Sequence, residues 1–429
     1  MKLRTATVFF CFLLLLLWSA PSFSQSEVSE TVTEEEGEST EEPAEKEQSE
    51  DGEEESKELN FAGTPYVYTG PDTGFGAGFA IQFRDFLDKE GRDVSFGMTY
   101  TENLYQDFNI TWSEPYFLSD QGRLEIRLKY QTRPAMRYYG IGNDTGPQDD
   151  CNWAYTGAEV EPTYIHRFPE TEIGTIGLRG QLTYKYVDPD NGELDNPDAG
   201  SFNRKIKDVY PEMYYSDYFR PTELIIPTVT MYLDRREDRF PLGGGRETVV
   251  WPMKGQYFEV SYSRSDEAWG SDFTYNKTSV DARQFLPLFH EDTILAARVK
   301  AIISQGEVPF YEMPNYGGSS SVRGYYGYRF IDKNATQLNV EIRQGLFPDW
   351  KLELFDGKIK LKYPSVFLFW DEARVYDDYT EIPDKMWEDY HYAWGGGFRF
   401  VITPTVVIKL EWGNSDEQST FYAGAGLPF

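Results

Sequence analysis

The chain of 429 residues carries only two cysteines and three histidines, and each scarcity removes a class of chemistry. Cys11 sits in an apolar N-terminal run, so processing leaves Cys151 alone and no internal disulfide is expected. His166, His290 and His391 are far apart in sequence, and a nucleophile needs a positioned base. Gly317-Gly318-Ser319-Ser320-Ser321 lacks the second glycine of a nucleophile elbow, and no phosphate loop is present. The acidic turn Asp188-Pro189-Asp190-Asn191-Gly192-Glu193 lacks the spacing of a calcium loop and reads as solvated. No catalytic residue, cofactor or metal is therefore expected, and the chain does not read as an enzyme. Positive charge is also short: 41 Lys and Arg stand against 71 Asp and Glu, a net charge of −30. That balance excludes nucleic acid, whose phosphates demand a basic surface.

The N-terminal residues 1–24 have the form of a secretory signal. Lys2 and Arg4 precede an apolar run from Val8 to Trp18, and Ser22 and Ser24 suit a cleavage site before Gln25. The run is shorter than the roughly 20 residues of a spanning helix. Residues 25–58 contain no aromatic residue, and sixteen acidic side chains there face only Lys46 and Lys57. Such a segment buries too little apolar surface to offset its ordering entropy, so a disordered acidic spacer is expected. The signal carries +2 and the spacer −14 of the total, which leaves −18 for residues 59–429.

Beyond the signal no long apolar run exists, yet alternation is widespread. Leu124, Ile126, Leu128 and Tyr130 interleave with Glu125, Arg127, Lys129 and Gln131, and Ile176 to Tyr186 repeat the pattern. So do Leu295 to Ile303, with Arg298 and Lys300 between, and Val406 to Trp412, with Lys409 and Glu411 between. Period two means strands with one apolar and one polar face. Strands of about ten residues with aromatics near their ends suit a lipid-facing barrel wall around a wet lumen. Residues 59–429 therefore predict an all-β, transmembrane antiparallel β-barrel of about 16 strands. Ten strands start near residues 75, 94, 105, 122, 153, 174, 222, 255, 272 and 294. An eleventh is expected near 207–217, and five more near 331–343, 362–374, 392–402, 405–414 and 419–429. The chain closes with Phe421, Ala423, Ala425, Leu427 and Phe429 on one face, and Phe429 resembles the C-terminal assembly signal of bacterial outer-membrane barrels.

Several stretches then occur in a telling order. They are Pro71-Asp72-Thr73-Gly74-Phe75-Gly76, Tyr139 to Thr145, and Asp234-Arg235-Arg236 with Pro241 and Gly243. Val322-Arg323-Gly324-Tyr325, Glu341-Ile342-Arg343 and Phe369-Trp370-Asp371 follow. Together they resemble the barrel domain of the bacterial surface antigen superfamily (BamA/TamA-like). The resemblance implies a long extracellular loop that folds into the lumen and brings Arg323 to acidic residues on the next two strands. Strand parity points to the same partners, because Glu341 and Asp371 fall on the polar faces of their strands. A guanidinium suits two carboxylates through its fixed fork.

The family's pattern ends Phe-x-Asp-x-Gly, whereas this chain has Ala373. The relatives carry periplasmic POTRA modules, and here only about 34 residues separate signal from barrel, so the resemblance is to a short member lacking them. It further implies a lateral seam between first and last strands. Gly74, Gly76 and Gly78 are expected on one side and Gly424, Gly426 and Pro428 on the other, residues that weaken strand pairing. The function implied is insertion or translocation, assisting outer-membrane protein or lipid assembly through that seam. The alternative is a passive channel or structural barrel. The expected partners are outer-membrane lipid, the barrel-assembly machinery during its own insertion, and client proteins or lipids. The expected location is the bacterial outer membrane, reached by export.

Overall fold

Residues whose apolar and polar side chains alternate cannot bury both sets on one side, and here the alternation becomes sixteen antiparallel wall strands. They are β1 (Phe61–Gly70), β2 (Gly74–Phe83), β3 (Asp93–Thr101), β4 (Gln106–Pro115), β5 (Gly122–Tyr138) and β6 (Cys151–Arg167). Next come β7 (Thr175–Asn191), β8 (Thr222–Asp234), β9 (Pro252–Ser265), β10 (Tyr275–Pro287) and β11 (Thr293–Gly306). The last are β12 (Asn334–Gly345), β13 (Ile359–Tyr376), β14 (His391–Ile402), β15 (Val406–Asn414) and β16 (Ser419–Ala425). The computed structural model describes residues 61–70, 73–193, 202–240, 249, 251–347, 350–354, 359–385, 388–402 and 406–425. The chain divides into Met1–Leu59 and Asn60–Phe429, and all described residues belong to the second unit. The expected signal, the acidic spacer, Pro71, Asp72, Pro241, Gly243, Gly426, Pro428 and Phe429 lie outside them.

Each strand pairs with its neighbour in sequence, and β1 meets β16 to make the barrel nearly closed. The faces settle which side meets lipid. Leu368 is 69% exposed and Leu178, Leu182, Val229, Met231, Phe398 and Phe421 are exposed too, whereas Arg323, Glu341 and Asp371 are wholly buried. A sandwich in water would turn these faces the other way; a barrel in lipid puts its polar groups in the lumen.

Two expectations about strands need correction. Residues 207–217 form two short helical turns, Ile206–Val209 and Pro211–Tyr214, and not a wall strand. Pro211 opens the second turn, where its missing N–H costs nothing, and buried Ile206 anchors the first. The additional strand is β1, so the wall begins at Phe61 and not at Gly74. Pro65 and Gly63 disguise it in the sequence.

Loops following odd-numbered strands gather at one end of the barrel. A cluster of Met136, Tyr138, Trp153, Ile206, Phe310 and Ile331 packs there. The segment between β11 and β12 supplies Phe310 and Ile331 and carries Arg323 inward, held by a short pairing of Asn315–Tyr316 with Phe330–Ile331.

Candidate functional site

Arg323 sits at the tip of the inward segment, between Val322 and Gly324. Val322 and Tyr325 are fully buried and pack with Phe330, Ala335, Ala373 and Val375, which seats the tip on β12 and β13. Ala373, the departure from the family pattern, is one of these packed residues. Gly324 has φ of 108°, a left-handed conformation, and a Cβ there would lie 3.0 Å from the Asn414 backbone. Glycine thus lets the tip lie flat against the β15–β16 turn.

The register of β12 and β13 sets Asn339 opposite Asp371 and Glu341 opposite Phe369, so both carboxylates face the same lumen patch. Arg323 Nε and Nη2 donate to the two oxygens of Asp371 at 2.7 and 2.8 Å, and its backbone N–H donates to Oδ2 at 3.1 Å. Nη1 donates to Glu341 Oε1 at 2.6 Å and to Glu411 Oε1 at 3.4 Å. The guanidinium also lies 3.6 Å from the Phe369 ring centre. Asn339 Nδ2 donates both to Asp371, at 2.7 Å, and to the Ser321 carbonyl, at 2.8 Å.

The centre is larger than one arginine and two acids. Arg399, from β14, donates to both oxygens of Glu341 at 2.8 and 2.9 Å and to Glu411 at 2.9 Å, while lying 3.6 Å from the Phe367 ring centre. Arg343 Nε donates to Glu341 Oε2 at 2.8 Å, and Lys409 pairs with Glu411 at 3.0 Å. Four cations and three carboxylates thus share a buried patch. Sequence parity had already turned Arg343, Lys409 and Glu411 away from lipid. What it lacked was the register that brings β12, β13, β14 and β15 to one height. Gly395 of β14 leaves room for this, since a Cβ there would lie 2.7 Å from Phe369.

The tip is fastened to the last strand as well. Tyr422 of β16 accepts from the Gly324 N–H at 3.2 Å and donates to the Tyr325 carbonyl at 3.2 Å. Ser415 donates to the Gly324 carbonyl at 3.0 Å, Tyr325 Oη donates to Asp416 at 2.5 Å, and Arg329 pairs with Glu417 at 2.8 Å. Both flanks of the loop carry displaced carboxyl groups. Burial alone would raise Glu312, but Lys185 and Lys277 outweigh it and hold the carboxyl well below the usual range. Burial pushes Asp332 up to about 6, against the pull of the Lys333 N–H.

The predicted seam residues are divided by the structure. Gly74, Gly76 and Gly78 lie on β2, one strand in from the join, because β1 stands between them and β16. Gly78 makes room across β1 and β2: a Cβ there would meet Met98 O at 2.4 Å and the Tyr66 ring at 2.6 Å. Tyr66 reaches over it to hydrogen-bond Thr99 at 2.5 Å. Gly424 does belong to β16, opposite Lys409. The join is Thr69 opposite Ala423, a single pair among the described residues, whereas β1 and β2 pair from Phe61–Phe83 through Gly70–Gly74.

Solved structures share this architecture. BamA from Haemophilus ducreyi lacking POTRA domains 1-3 is similar with a TM-score of 0.54 and 14% identity, over 86% of this chain and 70% of that one. CdiB from Escherichia coli gives 0.58 and 12%, over 86% of this chain and 63% of its own. CdiB from Acinetobacter baumannii gives 0.50 and 13%, over 85% and 59%. The chain therefore spans less than two thirds of either CdiB. At such identities the likeness concerns the fold. The model of the Omp85 superfamily domain matches residues 87–429, most of the chain, and on that match this outer-membrane β-barrel belongs to the Omp85 superfamily.

Proposed function

We propose that the barrel inserts or translocates client chains through a lateral seam between β1 and β16, with Arg323 and its loop holding the neighbouring wall in register. The observation that carries this reading is the join of Thr69 with Ala423, a single pair among the described residues, beside strands paired along their length. Where such a join opens, backbone N–H and C=O groups of β1 become an edge suited to β-augmentation by a client strand. Tyr422 ties the loop tip to β16, so the buried charge centre and the seam form one connected unit.

A disulfide between Thr69→Cys and Ala423→Cys tests the reading, since these residues are direct Cα partners. Locked protein is expected to lose the complementation that the reduced form supplies in cells lacking the native chain. Full complementation by locked protein ends the seam proposal.

A further inference from the structure

The lumen holds a cavity of about 200 Å³ on the inner faces of β5, β6 and β7, separate from the Arg323 centre. Lys129, Lys185, Glu159, Trp153, Tyr155 and Tyr311 line it. Its charges are unevenly matched. Glu159 pairs with Lys185 at 3.3 Å, and Glu312 takes both Lys185 at 2.7 Å and Lys277 at 2.9 Å. Asp107 is held by Arg133 at 2.7 Å. Two cations, Lys129 and Lys185, and one carboxylate, Glu159, thus line the cavity, and Glu312 and Asp107 beyond the lining are each already engaged. The surplus is Lys129, which makes no hydrogen bond or ion pair among the described residues, although Glu159 and Asp107 lie within electrostatic reach.

The aromatic wall suits a flat partner. Trp153 and Tyr155 stack at 5.5 Å between ring centres with planes 23° apart. Taking roughly 30 Å³ for each water, the cavity has room for about seven waters or one single-ring molecule. A half-buried ammonium beside aromatic surface is completed by a group that brings one negative charge and an apolar body.

We propose that this cavity binds a small organic anion, one carboxylate or sulfonate on a compact ring-sized body, with Lys129 as its charged anchor. Calorimetric titration of the full chain in nonionic micelles tests this with benzenesulfonate and benzoate, and with benzyl alcohol as the neutral match. One saturable site for the anions is expected. Lys129→Met weakens it about tenfold or more, the scale of one charge-assisted hydrogen bond. Lys129→Arg retains it, and Lys300→Met, which alters a lumen lysine outside the cavity lining, leaves it unchanged. Heat-modifiable migration in gels verifies that each variant is folded, and Lys129→Gln replaces Lys129→Met if the latter is not. Absence of saturable binding, equal binding by the neutralised variant, or equal affinity for benzyl alcohol overturns the proposal.

Discussion

At Arg323 the decisive quantity is the number of buried charges that depend on one side chain. Replacing it with alanine leaves Asp371 with the Asn339 amide as its side-chain donor and takes one cation from Glu341. Breaking a buried pair from one side costs about 3–5 kcal/mol. Arg323→Ala is expected to lower unfolding stability by that amount in denaturant titrations followed by gel migration. Arg323→Lys should fall between, because one ammonium cannot reproduce the fork toward Asp371 and Glu341. The loop's titrating groups act in opposite senses. Glu312 has its folded value below the ordinary 4.5, so its stabilisation is present above that pH and fades as pH falls through the lower folded value. Asp332, raised to about 6, contributes fully below its ordinary 3.8 and loses that contribution as pH rises through about 6. Asp332→Asn should flatten the fall in stability between those two values, and Glu312→Gln should flatten the acid limb. Unfolding midpoints across a pH series check both.

The loop tip, as an element, is held by shape as much as by charge. Gly324→Ala forces a left-handed residue against the Asn414 backbone and is expected to cost about 1–3 kcal/mol. The readout is faster protease cleavage within residues 317–330, with the strands still protected. At this scale the sequence was partly legible. Period two identified strands such as β7 and β11 because one face meets lipid throughout. It failed for β1, where Pro65 and Gly63 interrupt the pattern and the pairing with β2 supplies what propensity does not. It also failed at 207–217, where aromatic-rich turns pack as a cap instead of crossing the wall. The glycines of β2 were legible as weak positions, but their use is to admit Tyr66 across Gly78, a contact between strands.

For the whole molecule, the Arg323 loop and the buried charge centre occupy part of the lumen, and a loop so seated is expected to obstruct conduction. Planar-bilayer recordings should give small, flickering conductance for the unaltered chain. Arg323→Ala should raise the mean conductance by freeing the loop, and a large steady pore in the unaltered protein would favour a passive channel. The sequence by itself determined the class of wall and the inward parity of Glu341, Arg343, Asp371, Lys409 and Glu411, while the pairing of Arg323 with Glu341 and Asp371 was implied by the family resemblance. Alternation is a local property, and a strand shows its two faces within a few residues. Only the tertiary structure decided that Arg399, Arg343, Lys409 and Glu411 meet at one height, that Tyr422 fastens the loop to β16, and that the join is Thr69 with Ala423. Those facts depend on register and on the order of strands around a closed wall, and neither is encoded within the span of any one strand.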